Sequence, residues 1–271
     1  MLCKEINLYE YFGVEKPQGG VGVLYEYVLG RYDYCPERVR PAMLILGGGG
    51  YQFVSRREME PLAMAYCGKG FNCYALDYTV NIPHPVELVE ASMAMAYIRE
   101  KANEHFTDES KVASIGFSAG GHLCGMLATM YDSKEVTKVL GNRKVRPDAV
   151  VLSYPVILSC EFAHQGSIDV LTGGKREKDE YFSLDKRVNE NSSPAFIWAT
   201  FEDTCVPCEN SLTMATAYRK AGVPFELHIY EHGCHGLSIC SAETANEFPY
   251  ASGWLELTVS WLKSRGFVTE K

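Results

Sequence analysis

A short apolar strand pattern runs directly into a helical pattern in residues 111–130, and the pentapeptide G-F-S-A-G centred on Ser118 joins the two. A sharp strand-to-helix turn strains the backbone of its central residue, and glycines two positions to either side let the two elements approach each other. The turn raises the Ser118 hydroxyl above the strand end, beside a helix N-terminus whose unpaired N–H groups favour negative charge. The segment therefore predicts a nucleophilic serine on a sheet rather than an ordinary loop.

Apolar strand patterns alternate with helical patterns from about residue 40 onward, which predicts an α/β fold with a mostly parallel central sheet and helices on both faces. Segment 22–29 predicts one or two antiparallel strands at the sheet edge. The other predicted strands cover 42–46, 72–76, 112–116, 149–153, 195–200 and 225–230. The predicted helices cover 57–67, 86–103, 120–131, 210–221 and 250–264.

The chain length of 271 residues predicts a single domain spanning 1–271. One stretch, 159–194, breaks the alternation of strands and helices because it is polar and rich in charge, without clear periodicity. It also carries scattered aromatic and aliphatic residues that could make apolar contacts. We therefore interpret it as a small cap or substrate-pocket insertion rather than a solvated loop.

The composition excludes several classes of function. A formal net charge of -8 argues against nonspecific binding to nucleic acid, which requires clustered Lys and Arg. No apolar run approaches the roughly 18 residues that a membrane span needs. The first residues lack a basic region followed by an apolar one, so we expect no signal peptide and a cytoplasmic protein.

Ten cysteines are scattered through the chain, and without an export signal they favour a reducing compartment over a set of disulfides. Cys205 and Cys208 have the spacing of a redox motif. Cys234 and Cys240, together with two histidines, could suggest zinc. Neither pattern has its usual context, since a structural zinc site shows two tight ligand pairs. We predict no metal site.

A serine alcohol needs a general base and a carboxylate that orients the base. Asp203 follows an apolar strand about 85 residues after Ser118, and His235 follows the next strand about 30 residues later. The order Ser, acid, His is that of the G-x-S-x-G fold, and the ends of parallel strands gather active-site loops. Glu202 and His232 compete for the two roles. We favour Asp203, which precedes a rigid Val-Pro connection, and His235, which is flanked by glycines.

A glycine-rich loop at residues 47–50 follows the 42–46 strand and suits an oxyanion-binding loop. The predicted donors are the backbone N–H groups of Gly48, Gly49 and Ala119. No G-K-[ST] follows the glycines, so a phosphate loop is excluded. Tyr51 and Gln52, just beyond the glycines, are predicted to border the substrate, although simple loop packing is an equal alternative.

The segment 159–194 carries His164, which would contact the substrate if the segment covers the site. His84, His105 and His122 are interpreted as structural.

Four segments spread over residues 42–238 resemble the acetyl esterase and xylan-esterase-like branch of the α/β-hydrolases, which is related to hormone-sensitive lipase. They are LILGGGGYQFVSRREMEPLA, NCYALDYTVNIPHPVELVEA, IGFSAGGHLCG and PAFIWATFEDTCVPCENSLTMATAYRKAGVPFELHIYEHGCHGLS. Many relatives have a histidine before the oxyanion glycines, whereas this chain has Leu46 and Gly47 there. That difference brings it closer to the carbohydrate-esterase group and argues against a lipase.

The resemblance implies hydrolysis of short acyl esters through an acyl-serine intermediate, with acetyl groups on a sugar or xylo-oligosaccharide as the expected substrate. It implies no metal or organic cofactor. The composition predicts no nucleic-acid or membrane partner, and the abundance of Tyr and Phe leaves a monomer or a homodimer open. Two alternatives stay open. One is a serine peptidase or amidase of the same fold, which would need groups that bind a peptide amine. The other is a noncatalytic binding protein that kept the fold.

Overall fold

The computed structural model describes residues 1–35 and 38–267, and one eight-stranded sheet organises them. The sheet order is β1-β2-β4-β3-β5-β6-β7-β8. The first two strands run antiparallel to their neighbours, and the other neighbouring pairs are parallel. The strands are β1 (Leu2–Asn7), β2 (Val23–Val28), β3 (Arg40–Leu46), β4 (Asn72–Asp77), β5 (Thr107–Phe117), β6 (Ala149–Ser153), β7 (Ala195–Thr200) and β8 (Phe225–Tyr230). The predicted fold class is confirmed.

Helices cover both faces of this sheet. They are α1 (Leu8–Phe12), α2 (Glu60–Cys67), α3 (Val86–Glu100), α4 (Ala119–Thr129), α5 (Lys134–Leu140), α6 (Gln165–Thr172), α7 (Glu209–Ala221) and α8 (Trp254–Ser264). Short 3-10 turns occupy Arg56–Glu58, Arg176–Phe182, Leu184–Lys186 and Ala242–Thr244. Within residues 1–35 and 38–267, no helix combines the length and apolar character needed to cross a membrane.

The central strands are buried on both faces, which explains why they read as continuous apolar runs. In β3, Leu44 and Leu46 belong to the core under α3, α4 and α7, while Met43 and Ile45 belong to the core under α2 and α8. Burying one such side chain contributes about 1.5–3 kcal/mol. The sheet is thereby fixed between two apolar layers, and its strand ends become a rigid platform.

The structure departs from the predicted elements at the chain start and after α4. Segment 22–29 forms the antiparallel β2, but β1 was not predicted and occupies the edge beside it. The short helix α5 was also not predicted; it begins at the Ser133 cap, whose hydroxyl accepts from the Val136 N–H.

Segment 159–194 forms α6 and two of the 3-10 turns. Ile168, Leu171, Phe182 and Leu184 of this segment are buried in the core under α4 and α7. It is therefore a packed part of the molecule rather than a solvated loop, and its role as a cap stays a prediction.

Candidate active site

Ser118 lies between the end of β5 and the first residue of α4, in a backbone conformation that a side chain rarely adopts (φ 54°, ψ -119°). The glycines on either side are required by close contact. A Cβ on Gly116 would lie 2.0 Å from the Gly120 carbonyl oxygen, and one on Gly120 would lie 2.2 Å from that of Leu46 and 2.4 Å from that of Gly47. The strained turn is therefore held by tight packing of the backbone on both sides.

The structure brings Ser118, His235 and Asp203 together as a continuous chain of hydrogen bonds. His235 Nε2 lies 2.8 Å from Ser118 Oγ, and His235 Nδ1 lies 2.6 Å from Asp203 Oδ2. With Nδ1 protonated, the ring donates to the carboxylate, and its Nε2 lone pair accepts from the serine hydroxyl. This arrangement can remove the serine proton while the carboxylate stabilises the imidazolium that forms.

Asp203 is held by the turn after β7. Its second oxygen accepts hydrogen bonds from the N–H groups of Cys205 and Val206, each at 2.9 Å. The loop after β8 is fixed in turn, because the Thr200 hydroxyl donates to the Gly233 carbonyl and the Asn246 amide donates to the Gly236 carbonyl. Acid and base are therefore oriented by their own loops before any substrate binds.

Glu202 and His232, the alternatives for these two roles, lie in the same loops but pair with each other at 2.9 Å on the surface. Within the part of the chain that the structure describes, neither contacts Ser118.

The glycine loop differs from its prediction at Gly48. The Gly48 N–H donates to the Glu58 carboxylate at 2.8 Å, so it is not available to an oxyanion, which corrects the prediction for this residue. Gly49 and Gly50 line the same cavity as Ser118, and their N–H groups have no acceptor among the described residues. Ala119 is the first residue of α4, where an N–H has no partner inside the helix. Gly49, Gly50 and Ala119 are therefore the available donors.

Two buried residues near the site were not predicted from the sequence. Glu58 is 2% exposed, and beyond Gly48 it accepts a hydrogen bond from the Tyr154 hydroxyl at 2.7 Å. Tyr154 follows β6, and its ring packs edge-on against the His235 ring with centroids 5.1 Å apart. The carboxylate and burial raise the pKa of Tyr154 well above its usual value, burial being the larger cause. The run SRREME reads as a solvated surface and gave no signal for Glu58.

A cavity of about 820 Å³ opens beside Ser118 and His235. Gln52 and His164 line it, and their contact with a substrate stays a prediction. His164 Nδ1 lies 2.8 Å from the Ser167 hydroxyl, and burial, followed by the nearby His235, lowers the pKa of His164. Other lining residues are Gly49, Gly50, Phe53, Val54, Ser55, Arg56, Arg57, Glu58, Gly166, Cys205 and Gly236.

Tyr51 does not border this cavity, which corrects its prediction. Its side chain is 1% exposed, and its hydroxyl donates to His122 Nδ1 at 3.0 Å, deep in the core. The other ring nitrogen of His122 donates to the Phe182 carbonyl at 2.8 Å. Tyr51 therefore supports the base of the glycine loop, and His122 is structural, as expected.

No disulfide joins the cysteines within residues 1–35 and 38–267, and Cys205 lies at the cavity while Cys208 is buried. Burial, followed by the Asp203 charge, raises the pKa of Cys205, which keeps this thiol protonated and weakly nucleophilic. Across residues 1–35 and 38–267, no three side chains of His, Cys, Asp or Glu converge as a metal site. Both ring nitrogens of His235 are hydrogen-bonded, to Asp203 and to Ser118, and this ring does not form a metal-ligand cluster with Cys234 and Cys240 among the described residues.

Two curated proteins match about four fifths of this chain. The chain is 38% identical over 223 residues to endo-1,4-beta-xylanase B of Butyrivibrio fibrisolvens, covering 79% of this chain and 34% of that protein. It is 27% identical over 234 residues to the acetylxylan esterase of Xylanibacter ruminicola, covering 82% and 45% respectively. The chain thus spans less than half the length of these two relatives.

A solved structure matches over nearly the whole chain. The acetyl ester-xyloside bifunctional hydrolase of Caldicellulosiruptor lactoaceticus superposes with a TM-score of 0.84 at 31% identity, covering 98% of this chain and 97% of that one. The BD-FAE family model matches residues 34–218, which is most of the chain. The predicted resemblance is confirmed: this chain is an α/β-hydrolase of the BD-FAE family.

Proposed function

We propose that the protein is a serine carboxylesterase that hydrolyses short acyl esters, chiefly acetyl esters of carbohydrates such as xylo-oligosaccharides. The observation that carries this proposal is the unbroken hydrogen-bond chain from Asp203 through His235 to Ser118 at the wall of an open cavity. Such a chain activates a serine for acyl transfer, and the unpaired N–H groups beside it suit the oxyanion that acyl transfer creates.

In this mechanism His235 takes the Ser118 proton as the oxygen attacks the ester carbonyl. The N–H groups of Gly49, Gly50 and Ala119 stabilise the oxyanion, and one such donor is typically worth about 10² to 10³ in rate. His235 then gives its proton to the departing alcohol oxygen. Water, deprotonated by the same ring, attacks the acyl-serine, and the second oxyanion collapses to free the acid and restore Ser118.

The carbohydrate part of the proposal is supported by the relatives and by the cavity wall. The similar proteins named above are a xylanase, an acetylxylan esterase and an acetyl ester-xyloside hydrolase. Phe53 is 61% exposed at the cavity, so its ring offers an apolar face on which a sugar ring could stack. Gln52 and Arg57 beside it supply hydrogen-bond donors for sugar hydroxyls.

The test combines active-site labelling with a substrate panel. We expect a fluorophosphonate to label Ser118, as located by peptide mass spectrometry, and Ser118→Ala to abolish labelling. Acetyl p-nitrophenyl ester should turn over faster than butyryl and octanoyl esters, and acetylated xylo-oligosaccharide should release acetate. A matched acetanilide separates esterase from amidase activity. No labelling at Ser118, or faster cleavage of the anilide than of the ester, would sink the proposal.

A further inference from the structure

The peptide group between Gly47 and Gly48 is held from both sides. The Tyr78 hydroxyl donates to the Gly47 carbonyl at 2.7 Å, while the Gly48 N–H donates to Glu58 Oε2 at 2.8 Å. Because both polar groups of one peptide are engaged, its plane cannot rotate without breaking a buried hydrogen bond. The orientation of this peptide sets where the following N–H groups, those of Gly49 and Gly50, can lie.

The same carboxylate reaches the loop that carries the histidine. Glu58 Oε1 accepts from the Tyr154 hydroxyl, whose oxygen accepts from the Ser238 N–H at 2.9 Å. Ser238 lies three residues after His235, and its own hydroxyl donates to the Arg57 carbonyl at 2.7 Å. One buried side chain therefore joins the glycine loop to the histidine loop, with the Tyr154 ring packed against His235 between them.

This connection is costly to the fold. A buried carboxylate loses hydration that only charge-assisted hydrogen bonds offset. Tyr154 and Ser238 both have positive φ angles, 36° and 51°, which side chains rarely adopt. A charged group and two strained residues within one network at the active site indicate a functional constraint rather than a packing solution.

We propose that Glu58 is a positioning residue for the esterase reaction: it orients the Gly48 peptide so that the next N–H groups face the oxyanion, and through Tyr154 it fixes the His235 loop. This inference rests on the proposed function, to which it adds a residue whose two carboxylate oxygens are engaged by Gly48 and Tyr154 rather than by the reacting atoms. One Glu58 oxygen bonds to the loop that holds the oxyanion donors, and the other bonds to Tyr154 beside His235, which takes the serine proton. Loss of Glu58 should therefore weaken binding of the transition state more than binding of the substrate.

The experiment compares Glu58→Gln, Glu58→Asp and Tyr154→Phe with the wild type. Gln has one acceptor oxygen where Glu has two, so one of the two donors loses its partner. We expect kcat for the acetyl ester to fall by about 10- to 100-fold in Glu58→Gln, less than loss of a whole donor. KM should stay within about twofold, and a boronate transition-state analogue should bind more weakly by the same factor as kcat/KM.

Glu90→Gln is a matched control, because Glu90 is also fully buried and also accepts from a tyrosine hydroxyl, that of Tyr9, and from a backbone N–H. Among the described residues, the hydrogen-bond partners of Glu90 are Tyr9 and Thr79, which lie outside the active site. Glu90→Gln should therefore lower the melting temperature without changing kcat per folded molecule. The kcat of the double variant Glu58→Gln/Tyr154→Phe should lie within about threefold of that of the slower single variant, since both substitutions break the same network. Multiplicative losses, or a kcat as insensitive to Glu58→Gln as to Glu90→Gln, would overturn the proposal.

An NMR readout separates this inference from the proposed function. The charge-assisted bond should place the Gly48 amide proton of the wild type downfield, and Glu58→Gln or Glu58→Asp should shift it upfield. If the wild type is neither labelled nor active, the esterase proposal fails. An unmoved Gly48 resonance in a folded variant overturns the positioning role of Glu58 whatever the activity of the wild type.

Discussion

Two acid–histidine pairs lie side by side in the loops after β7 and β8, and they differ mainly in burial. Asp203 and His235 meet at 2.6 Å, with side chains 0% and 22% exposed. Glu202 and His232 meet at 2.9 Å, with side chains 53% and 50% exposed. In the first pair, His235 also hydrogen-bonds to the Ser118 hydroxyl. In the second pair, Glu202 also accepts from the Gly233 N–H, and both side chains are exposed to solvent.

The difference teaches that residue type and spacing alone do not distinguish a buried pair from a surface pair, and that only the neighbouring residues, Val-Pro after Asp203 and glycines around His235, favoured the buried one. In the exposed pair, the hydrogen bond to Glu202 raises the pKa of His232, and the same bond lowers the pKa of Glu202. Water screens such a pair, so it contributes little to stability. In the buried pair, the carboxylate is fixed by two further N–H donors and acts on a ring that reaches the nucleophile.

The largest expected loss of kcat comes from removing the Ser118 hydroxyl or the His235 ring that contacts it. Ser118→Ala and His235→Ala should each lower kcat by about 10⁶, because such triads act as a unit. His232→Ala is the matched control and should change kcat less than about twofold. Steady-state hydrolysis of an acetyl ester measures all three. Comparable losses in His232→Ala and His235→Ala would erase the distinction between the pairs.

A smaller loss of kcat is expected when the two carboxylates, Asp203 and Glu202, are replaced by amides. Asp203→Asn should lower kcat by about 10⁴, because an amide cannot hold the ring in the tautomer that accepts from Ser118. Glu202→Gln should cost less than about threefold, since its carboxylate only braces the Gly233 backbone and His232. Equal kcat in Asp203→Asn and the wild type would show that the buried carboxylate is not the orienting group.

His122 sharpens the comparison because it is fully buried without a carboxylate. Burial lowers the pKa of His122 to about 4. The unfolded chain therefore takes up a proton first as pH falls below the ordinary value of 6.5, so stability should fall between about pH 6.5 and pH 4, by about 3 kcal/mol for this group. Urea unfolding of the wild type and His122→Gln should reveal a shallower pH dependence in the variant. Equal slopes would contradict the buried neutral histidine.

The smallest effect is expected from the exposed pair. Because the pKa of His232 is raised on folding, its stabilisation is fully present below the unfolded value of 6.5 and is lost as pH rises through the folded pKa. Salt should weaken it further. The difference in melting temperature between wild type and His232→Ala should thus shrink between pH 6 and pH 9 and in 0.5 M NaCl. A difference that grows with pH would reverse the assigned sign.

Much of the fold was predictable because strands buried on both faces are continuous apolar runs in the sequence. The strands Ala149–Ser153 and Ala195–Thr200 match their predicted bounds, since each is a short, fully buried apolar run. Phe225–Tyr230 also matches its predicted bounds, although it is only partly buried and alternates apolar residues with Glu226 and His228. β1 has the mixed run LCKEIN and pairs along one side only, so it carries no such pattern. Its place at the sheet edge depends on pairing with β2, which the residues of β1 themselves do not indicate.

The meeting of Ser118, Asp203 and His235 followed from strand order, because parallel strands bring their ends to one edge of a sheet. The error at Tyr51 depends on a backbone dihedral angle instead, and the error at Gly48 depends on the Glu58 side chain that accepts from its N–H. Tyr51 has a φ of 59°, and its side chain enters the core rather than the cavity. Glu58 escaped prediction for a related reason, since its two partners come from the glycine loop and from the residue after β6.

The contact of Gly120 with the glycine loop limits where this protein could be redesigned. No side chain separates the helix that follows the nucleophile from the carbonyls of Leu46 and Gly47. The separation of α4 from the start of the glycine loop is therefore set by main chain against main chain, and an exchange of side chains at the cavity entrance does not adjust it. Substitutions of Gln52, Phe53 and other residues of the outer wall should change which ester fits while leaving the geometry of attack as it is.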